Sequence, residues 1–537
     1  MSFETKVSPD YAQASFASEE EIKKNCISID LTKFPTGEGG GIPVVTDGKV
    51  MMTLDGDSST MTVASTGSGK TTRAIIPHAI SCANAGVSMV IHDPKADIYK
   101  HLKSMLDKAG YKIIVLNYRN PEYGDRFNPY EPAAKLYKEG YVDTAREMNS
   151  NFSDTIFGRV KSDKDPFWHL TSAGYNTGLA ELCCQLMQPE KVTFDAIFDL
   201  HLQGSESFSG STYMKSYFSK KSDERCWKLI YPVATASNET RNSLNAVFTG
   251  ALSTFVQNDA IVDQTSNSTF EIEDLINEKV ALFIIARDEN SAYDPLITAT
   301  IDLIYSVLVA RAEENGGTLK RRVTFLLDEF GNLPALRDIE KKLTLSRARG
   351  ISWHLVCQSL DQLSLIYGKE RAPIIIGNCN NLIYMYSPDI ALVKHISALC
   401  GERKGEQISD IKSPLCPVDM LRHLDKYSGE TVLLLERQKP FITHLPYITN
   451  YYGVEKLDKV DFKKREPQKL ERFDFKAVVN EMKKKEIERM MHDDELEHEK
   501  KRQRYSEEKR KRKEADPNGA ISIVNNVIFE LLSGGEC

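Results

Sequence analysis

The run Ala64-Ser65-Thr66-Gly67-Ser68-Gly69-Lys70-Thr71 has the composition and spacing of a phosphate-binding loop, with Ala64 where the first glycine usually stands. Its small residues let backbone N–H groups close around phosphate oxygens. The stretch Thr71 to Ala85 reads as a helix whose N-terminus adds a favourable dipole. Ser65, Thr66, Gly67, Ser68, Gly69, Lys70, Thr71 and Thr72 are the expected nucleotide contacts. Lys70 is expected at the β- and γ-phosphates of ATP, and the Thr71 hydroxyl on Mg²⁺. The apolar run Met61-Thr62-Val63 precedes the loop. An incidental Gly/Ser turn would not need that strand–turn–helix context.

A second pair of groups completes such a site. Val323-Thr324-Phe325-Leu326-Leu327 is an apolar strand ending in Asp328-Glu329. Expected beside the loop strand, it would put Asp328 on Mg²⁺ and let Glu329 orient or deprotonate the attacking water. Further on, Arg347 in Ser346-Arg347-Ala348-Arg349-Gly350 could stabilise transition-state charge, from its own or a neighbouring subunit. Gln358, at the tip of the strand His354 to Cys357, could sense the γ-phosphate. On spacing alone, a surface arginine pair and a turn-capping glutamine explain these last two equally well.

Positioning these groups requires a particular scaffold. Short apolar runs alternate with longer amphipathic ones: Met61 to Val63, Val87 to His92, Lys112 to Asn117, Val280 to Ala286, Val323 to Leu327, His354 to Cys357, Leu382 to Tyr386 and Thr431 to Leu435. This alternation predicts an α/β fold with a mainly parallel sheet, and the continuous runs predict strands buried on both faces. Residues 1–58 read as a lead-in with a few short strands. Residues 131–270 read as an inserted all-α domain, with helices over Phe167 to Met187 and Ser243 to Phe255 and a loop near Gly204 to Gly210. The nucleotide domain then comprises 59–130 and 271–454. From 455 to 537 the chain is a charged tail, helical or disordered. Glu481/Lys485, Glu497/Lys501 and Glu508/Arg512 support a helix, Lys509 to Lys513 is a basic run, and Ala520 to Leu532 is apolar.

Composition narrows the class. A formal charge of −7 over 537 residues excludes a whole-protein basic field, so any DNA contact must come from local patches or an assembled channel. Ten cysteines with no CxxC pair or zinc spacing read as reduced core thiols. No window is read as approaching the ~18–20 apolar residues that cross a bilayer, and no signal-peptide pattern opens the chain. The expectation is a cytoplasmic protein.

These motifs resemble the type IV secretion coupling proteins, the TraG/TraD-like ATPases of conjugative DNA transfer. His92-Asp93-Pro94-Lys95-Ala96-Asp97 resembles the family's Asp-Pro-Lys-Gly-Glu stretch, with Ala96-Asp97 where Gly-Glu is common. Asn128-Pro129, Glu239-Thr240 with Ser243-Leu244, Leu327 to Leu333, Arg347 with Gly350-Ile351, Gln358 to Leu363, Gly429-Glu430-Thr431 and Lys439-Pro440-Phe441 are similar to its further blocks. The resemblance spans about 12–450. It implies a RecA-like P-loop NTPase with an inserted all-α domain, assembling as a ring, with a homo-hexamer expected by family analogy. It also implies a place at the cytoplasmic face of the membrane, at the mouth of a type IV secretion channel, receiving single-stranded DNA with its relaxase. Arg347 becomes a candidate arginine finger and Gln358 a sensor. Family members usually begin with transmembrane helices. Here membrane contact is expected through a missing segment or a partner protein. Two other readings remain open: a DNA translocase related to the FtsK or HerA groups, and a substrate receptor that nucleotide only locks.

Overall fold

The computed structural model describes residues 14–54, 56, 58–158, 166–287, 291–404 and 412–515. The chain divides into two compact units. The first takes in Met1–Phe198 and Asp223–Arg472, the second Asp199–Ser222 and Phe473–Cys537.

The first unit begins with a short helix, Glu19–Lys23, whose Ser18 and Glu21 form a reciprocal capping box. Strands β1 (Cys26–Asp30), β2 (Pro43–Thr46) and β3 (Val50–Leu54) form a small antiparallel sheet in the order β1-β3-β2. The main sheet has nine strands. They include β4 (Thr60–Ala64), β5 (Ser88–His92) and β6 (Lys112–Asn117); β7 (Ser207–Phe208) and β8 (Ser211–Thr212) form a separate hairpin in the second unit. The main sheet continues with β9 (Val280–Ile285), β10 (Val323–Leu327), β11 (Ile351–Cys357) and β12 (Asn381–Tyr386). Strands β13 (Glu402–Lys404) and β14 (Lys412–Pro414) pair only with each other, and β15 (Glu430–Leu434) and β16 (Phe441–His444) finish the main sheet.

The sheet order is β16-β15-β12-β4-β11-β10-β5-β9-β6. The seven strands from β12 to β6 run parallel, and β15 and β16 add an antiparallel edge. Every residue of β4, β5, β9, β10 and β11 is buried, as expected of parallel strands covered on both faces, and β9 is apolar throughout. One expectation fails. Strand β10 is not beside the loop strand β4, because β11 lies between them. Neighbour order in a parallel sheet is set by crossovers, which a run of apolar residues does not encode.

The helix Asp294–Glu314 corrects a second expectation. It is long and apolar enough to cross a membrane, with mean hydropathy 1.4 over 18 residues, though 67% of that stretch is buried inside the protein. Its Tyr305 meets the ring of Trp353 at 5.5 Å, and Trp353 stacks on Phe325 at 4.2 Å. The apolarity therefore serves packing on β10 and β11.

Between β6 and β9 the described residues are almost wholly helical. The helices include Glu131–Lys138, Val142–Ile156, Phe167–Leu186, Arg225–Thr235 and Asn238–Val256. The ring of Tyr130 contacts Phe152 and Phe194, each at 5.0 Å, and Phe194 contacts Phe255 at 4.8 Å. Asn128 stands just before the first of these helices. Its Nδ2 donates to the Val192 carbonyl at 2.9 Å, and its Oδ1 accepts the Tyr130 N–H at 3.1 Å. The loop expected near Gly204 to Gly210 is the end of the helix Phe194–Ser205 followed by the β7–β8 hairpin.

In the second unit the charged tail is a single helix, Phe475–Ala515. Gln203 Oε1 accepts the N–H groups of Phe475 and Lys476, at 2.7 and 3.2 Å, and so satisfies two first-turn donors. From Ile487 to Ala515 every residue is exposed. The pairs Glu481/Lys485 and Glu497/Lys501 form ion pairs, and near the end Arg510 pairs with Glu514. The apolar run Ala520 to Leu532 lies outside the described residues.

Candidate nucleotide site

At the end of β4 the Ser65 N–H still donates to the Tyr386 carbonyl of β12, at 2.8 Å, so the loop leaves the sheet at Thr66. Gly67 and Gly69 have φ of 77° and 88°, a conformation that a side chain opposes. The Ser68 hydroxyl donates back to the Ser65 carbonyl at 2.7 Å, and the Thr72 hydroxyl to the Gly69 carbonyl at 3.2 Å. The chain then enters a helix through a widened π turn, Thr71–Ile75, continued as Ile76–Ala85. Lys70 is buried, and its charge acts on both Asp328 and Cys357.

The helix carries Thr71 across β11 to the tip of β10. There the Thr71 hydroxyl donates to Asp328 Oδ2 at 2.6 Å. His92, at the tip of β5, meets the Asp328 carbonyl through Nδ1 at 2.7 Å. Burial lowers the His92 pKa to about 4, so the ring is neutral and this nitrogen donates. Burial also raises the Asp328 carboxyl above its ordinary value; the Thr71 bond opposes the rise and the Glu329 charge adds to it. Asp93 is pushed to about 7, again mainly by burial, while accepting the Tyr99 N–H at 2.8 Å.

Glu329 sits at φ 55°, in the left-handed region, and turns its carboxylate toward Lys95 Nζ at 3.3 Å. Asn332 Nδ2 donates to the same carboxylate at 2.9 Å. Gln358 follows β11 directly, and its Oε1 accepts the Thr66 hydroxyl at 3.1 Å. The intervening strand that upset the expected sheet order is therefore the one that brings Gln358 between the loop and Glu329.

Arg347 is not part of this cluster. It precedes β11, whose seven residues span about 23 Å to the opposite rim of the sheet. There Arg347 Nη1 donates to both oxygens of Glu436 at 3.0 Å, and Glu436 also holds Ser58. The structure thus brings together Ser65 to Thr72, Asp328, Glu329 and Gln358, and leaves Arg347 on the far side.

Sequence reasoning also missed the other flank of the loop. A cavity of about 260 Å³ opens there, lined in part by Thr66, Gly67, Tyr386, Arg422 and Lys426. Buried Arg73 anchors this wall: its Nη2 donates to the Lys426 carbonyl at 2.8 Å, and its guanidinium lies 3.7 Å from the centre of the Tyr447 ring. Arg73 sits two residues after Thr71, where helix periodicity alone gave no sign of a partner.

The donor set fits Mg²⁺ and a nucleotide. Two left-handed glycines shape the loop, a helix N-terminus and Lys70 supply positive potential, and a hydroxyl and a carboxylate already in contact form a hard-cation pair. Thr71 and Asp328 would hold Mg²⁺, which would neutralise phosphate charge.

A mainly parallel sheet with this loop facing a strand-end Asp-Glu pair defines a RecA-like P-loop nucleotide-binding fold. The chain belongs to the family described as Type IV secretory system Conjugative DNA transfer, whose family model matches residues 5–413. It is 22% identical over 400 residues to Protein VirD4 of Rhizobium rhizogenes, covering 71% of this chain and 57% of that protein. It is 23% identical over 398 residues to the type IV secretion system-coupling protein VirD4 of Bartonella henselae, covering 70% of this chain and 57% of that protein. The chain thus spans a little over half the length of these relatives. Among solved structures it is similar to the plasmid coupling protein TrwB in complex with the ATP analogue ADPNP. That match has a TM-score of 0.58 and 18% identity, and covers 84% of this chain and 95% of that one. TrwB in complex with ADP and Mg²⁺ matches with a TM-score of 0.57 at 17% identity, covering 84% of this chain and 95% of that one.

Proposed function

We propose that this chain is an ATPase coupling protein that receives a relaxase–DNA or protein substrate and powers or gates its entry into a type IV secretion channel. The observation that carries the reading is the contact between Thr71 and Asp328, with Glu329 next in the chain and Gln358 on the loop. In it, backbone N–H groups of the loop and Lys70 bind the phosphates, and Glu329 takes a proton from the attacking water. Gln358 registers the terminal phosphate. Because that phosphate must face Asp328 and Glu329, the rest of the nucleotide lies toward the cavity beside Tyr386. Bound ADPNP, ADP and Mg²⁺ in structures of similar fold support the choice of ligand.

Arg347 lies a strand length from its own loop, which favours service to a neighbour's nucleotide in a ring, with a hexamer as the expected closure. In this reading residues 131–270 form the helical insert, which contributes substrate contacts, and the ring works at the cytoplasmic face of the membrane.

The test is ATP hydrolysis by the purified chain, with and without single-stranded DNA, beside Glu329→Gln. DNA-stimulated turnover that Glu329→Gln abolishes supports the motor. Nucleotide binding with no turnover in either protein favours the receptor reading instead.

A further inference from the structure

Four hydrogen bonds join the phosphate loop to the Glu329 carboxylate, through the side chain and backbone N–H of Gln358 and the side-chain amides of Gln362 and Asn332. The Thr66 hydroxyl donates to Gln358 Oε1 at 3.1 Å. The Gln358 backbone N–H donates to Gln362 Oε1 at 3.0 Å. Gln362 Nε2 donates to Asn332 Oδ1 at 2.6 Å, and Asn332 Nδ2 donates to Glu329 Oε2 at 2.9 Å. Every bond donates in the same sense, away from the loop and toward an anion. The side-chain amides of Gln362 and Asn332 each accept on oxygen and donate on nitrogen and so polarise one another, the last bond is charge-assisted, and Gln358 couples its side chain to its backbone N–H by position alone.

The path is built into the backbone. A Cβ at Gly331 would lie 2.4 Å from Gln362 Cδ and 2.5 Å from its Oε1, so the absence of a side chain at 331 is what lets Gln362 pass to Asn332. At the other end Ser359 Oγ accepts the Gln362 N–H at 3.1 Å and fixes the first turn of the helix Leu360–Tyr367. Glu329 itself sits in a left-handed conformation that its own side chain disfavours, so its carboxylate needs external support.

We propose that Asn332 and Gln362 are positioning residues: they hold the Glu329 carboxylate in register with the loop, so that its alignment follows what Thr66 and Gln358 contact. The inference rests on the hydrolysis reading above. A terminal phosphate near Thr66 competes for its hydroxyl, and the change passes down the amides to Glu329. Asn332 and Gln362 touch no reacting atom, so their loss lowers the rate of the chemical step without lowering nucleotide affinity.

The experiment compares wild type, Gln362→Ala, Asn332→Ala, Gly331→Ala and the double variant Gly331→Ala/Gln362→Ala. Expected is a fall in kcat of at least about tenfold in each single variant, with KM and the Kd of a fluorescent ADP analogue within about twofold of wild type. The double variant is expected to be no worse than Gln362→Ala, since the methyl at 331 acts only by displacing Gln362. Gln362→Glu keeps the acceptor for the Gln358 N–H but loses the donor to Asn332, and is expected to restore protection of that amide without restoring kcat. In the nucleotide-free protein, hydrogen exchange at the Gln358 amide should speed up in Gln362→Ala. Unchanged kcat in the single variants, effects that multiply in the double variant, or unchanged exchange at Gln358 would each overturn the relay. If wild type binds ATP without hydrolysing it, the hydrolysis reading fails instead. The relay is then judged by hydrogen exchange at the Gln358 amide with ADPNP bound against ADP bound, a difference that Gln362→Ala removes if the relay exists and leaves alone if it does not.

Discussion

The Thr71 hydroxyl donates to Asp328 Oδ2 across 2.6 Å, joining residues 257 positions apart in the chain. In the proposed reading this pair would hold Mg²⁺, because a hydroxyl and a buried carboxylate that already touch need little movement to share the ion. Asp328→Asn keeps the shape and the acceptor for Thr71 but removes the charge. Turnover is expected to fall about a hundredfold or more. Nucleotide affinity should fall in Mg²⁺ and stay the same in EDTA. Because burial raises the Asp328 carboxyl above its ordinary value, protons compete with the metal. Wild-type Mg²⁺ affinity should therefore weaken as pH is lowered, and more steeply than in Asp328→Asn. Equal losses with and without metal would show that Asp328 supports the fold and does not hold the ion.

Arg347 and Glu436 form an ion pair on the rim of the sheet opposite the loop. If Arg347 serves a neighbour, an Arg347→Ala chain and a Glu329→Gln chain complement each other. Each is expected to be inactive alone. A random mixed ring gives about a quarter of its interfaces an intact Glu329 facing an intact Arg347, so activity should return to about that fraction. Mixtures as inactive as the separate chains would exclude action between subunits.

The parallel sheet was legible because β5, β9 and β10 are buried on both faces and read as plain apolar runs. That Lys70, Thr71, Asp328 and Glu329 would meet in one cluster was legible, because phosphate and Mg²⁺ chemistry restricts residue type and spacing. The place of β11 was not, since sheet order arises from crossovers that leave no local pattern. The Asn332–Gln362 link was not, because two amides 30 positions apart carry no pairing signal until the backbone brings them together. The apolarity of the helix Asp294–Glu314 was passed over, although a helix buried on most sides of a large α/β protein has the composition of a membrane span.

Ala96 adopts φ 57° at the start of the helix Asp97–Lys108, next to Lys95, which pairs with Glu329. An L-residue in this region is strained by roughly 1–2 kcal/mol. Glycine escapes the strain but gains unfolded-state freedom, and the Ala96 methyl is buried. Less about 0.4–1 kcal/mol for that freedom and about 0.8 kcal/mol for the methyl, the net expectation for Ala96→Gly lies within about 0.8 kcal/mol of zero, seen as a nearly unmoved thermal midpoint with unchanged nucleotide Kd. A lower midpoint would mean that the methyl packs more favourably than the backbone is strained.

His78 and His354 face each other across the sheet and the helix after the loop, Nδ1 to Nδ1 at 2.9 Å. His78 Nε2 points at the Gly40 carbonyl at 3.3 Å and so carries its proton. His78 Nδ1 is then the acceptor, His354 Nδ1–H the donor, and His354 Nε2 accepts from the Thr62 hydroxyl at 2.7 Å. A proton added to His78 Nδ1 would face another donor, in a buried site. Burial lowers His78 to about 4, with Arg322 adding to the effect, and takes His354 well below its ordinary 6.5. The unfolded chain thus takes up protons first as pH falls through 6.5, and the folded chain does so only near 4. Stability is full above that window and drops across it. His78→Asn offers an acceptor that does not titrate. Its thermal midpoint is expected to decline less than wild type between pH 7 and 4, the difference reaching roughly 3 kcal/mol at about 1.4 kcal/mol per pKa unit. Parallel declines would mean that carboxylates alone set the acid limit, and that the histidine pair joining the loop helix to the Gln358 strand is not held neutral by its burial.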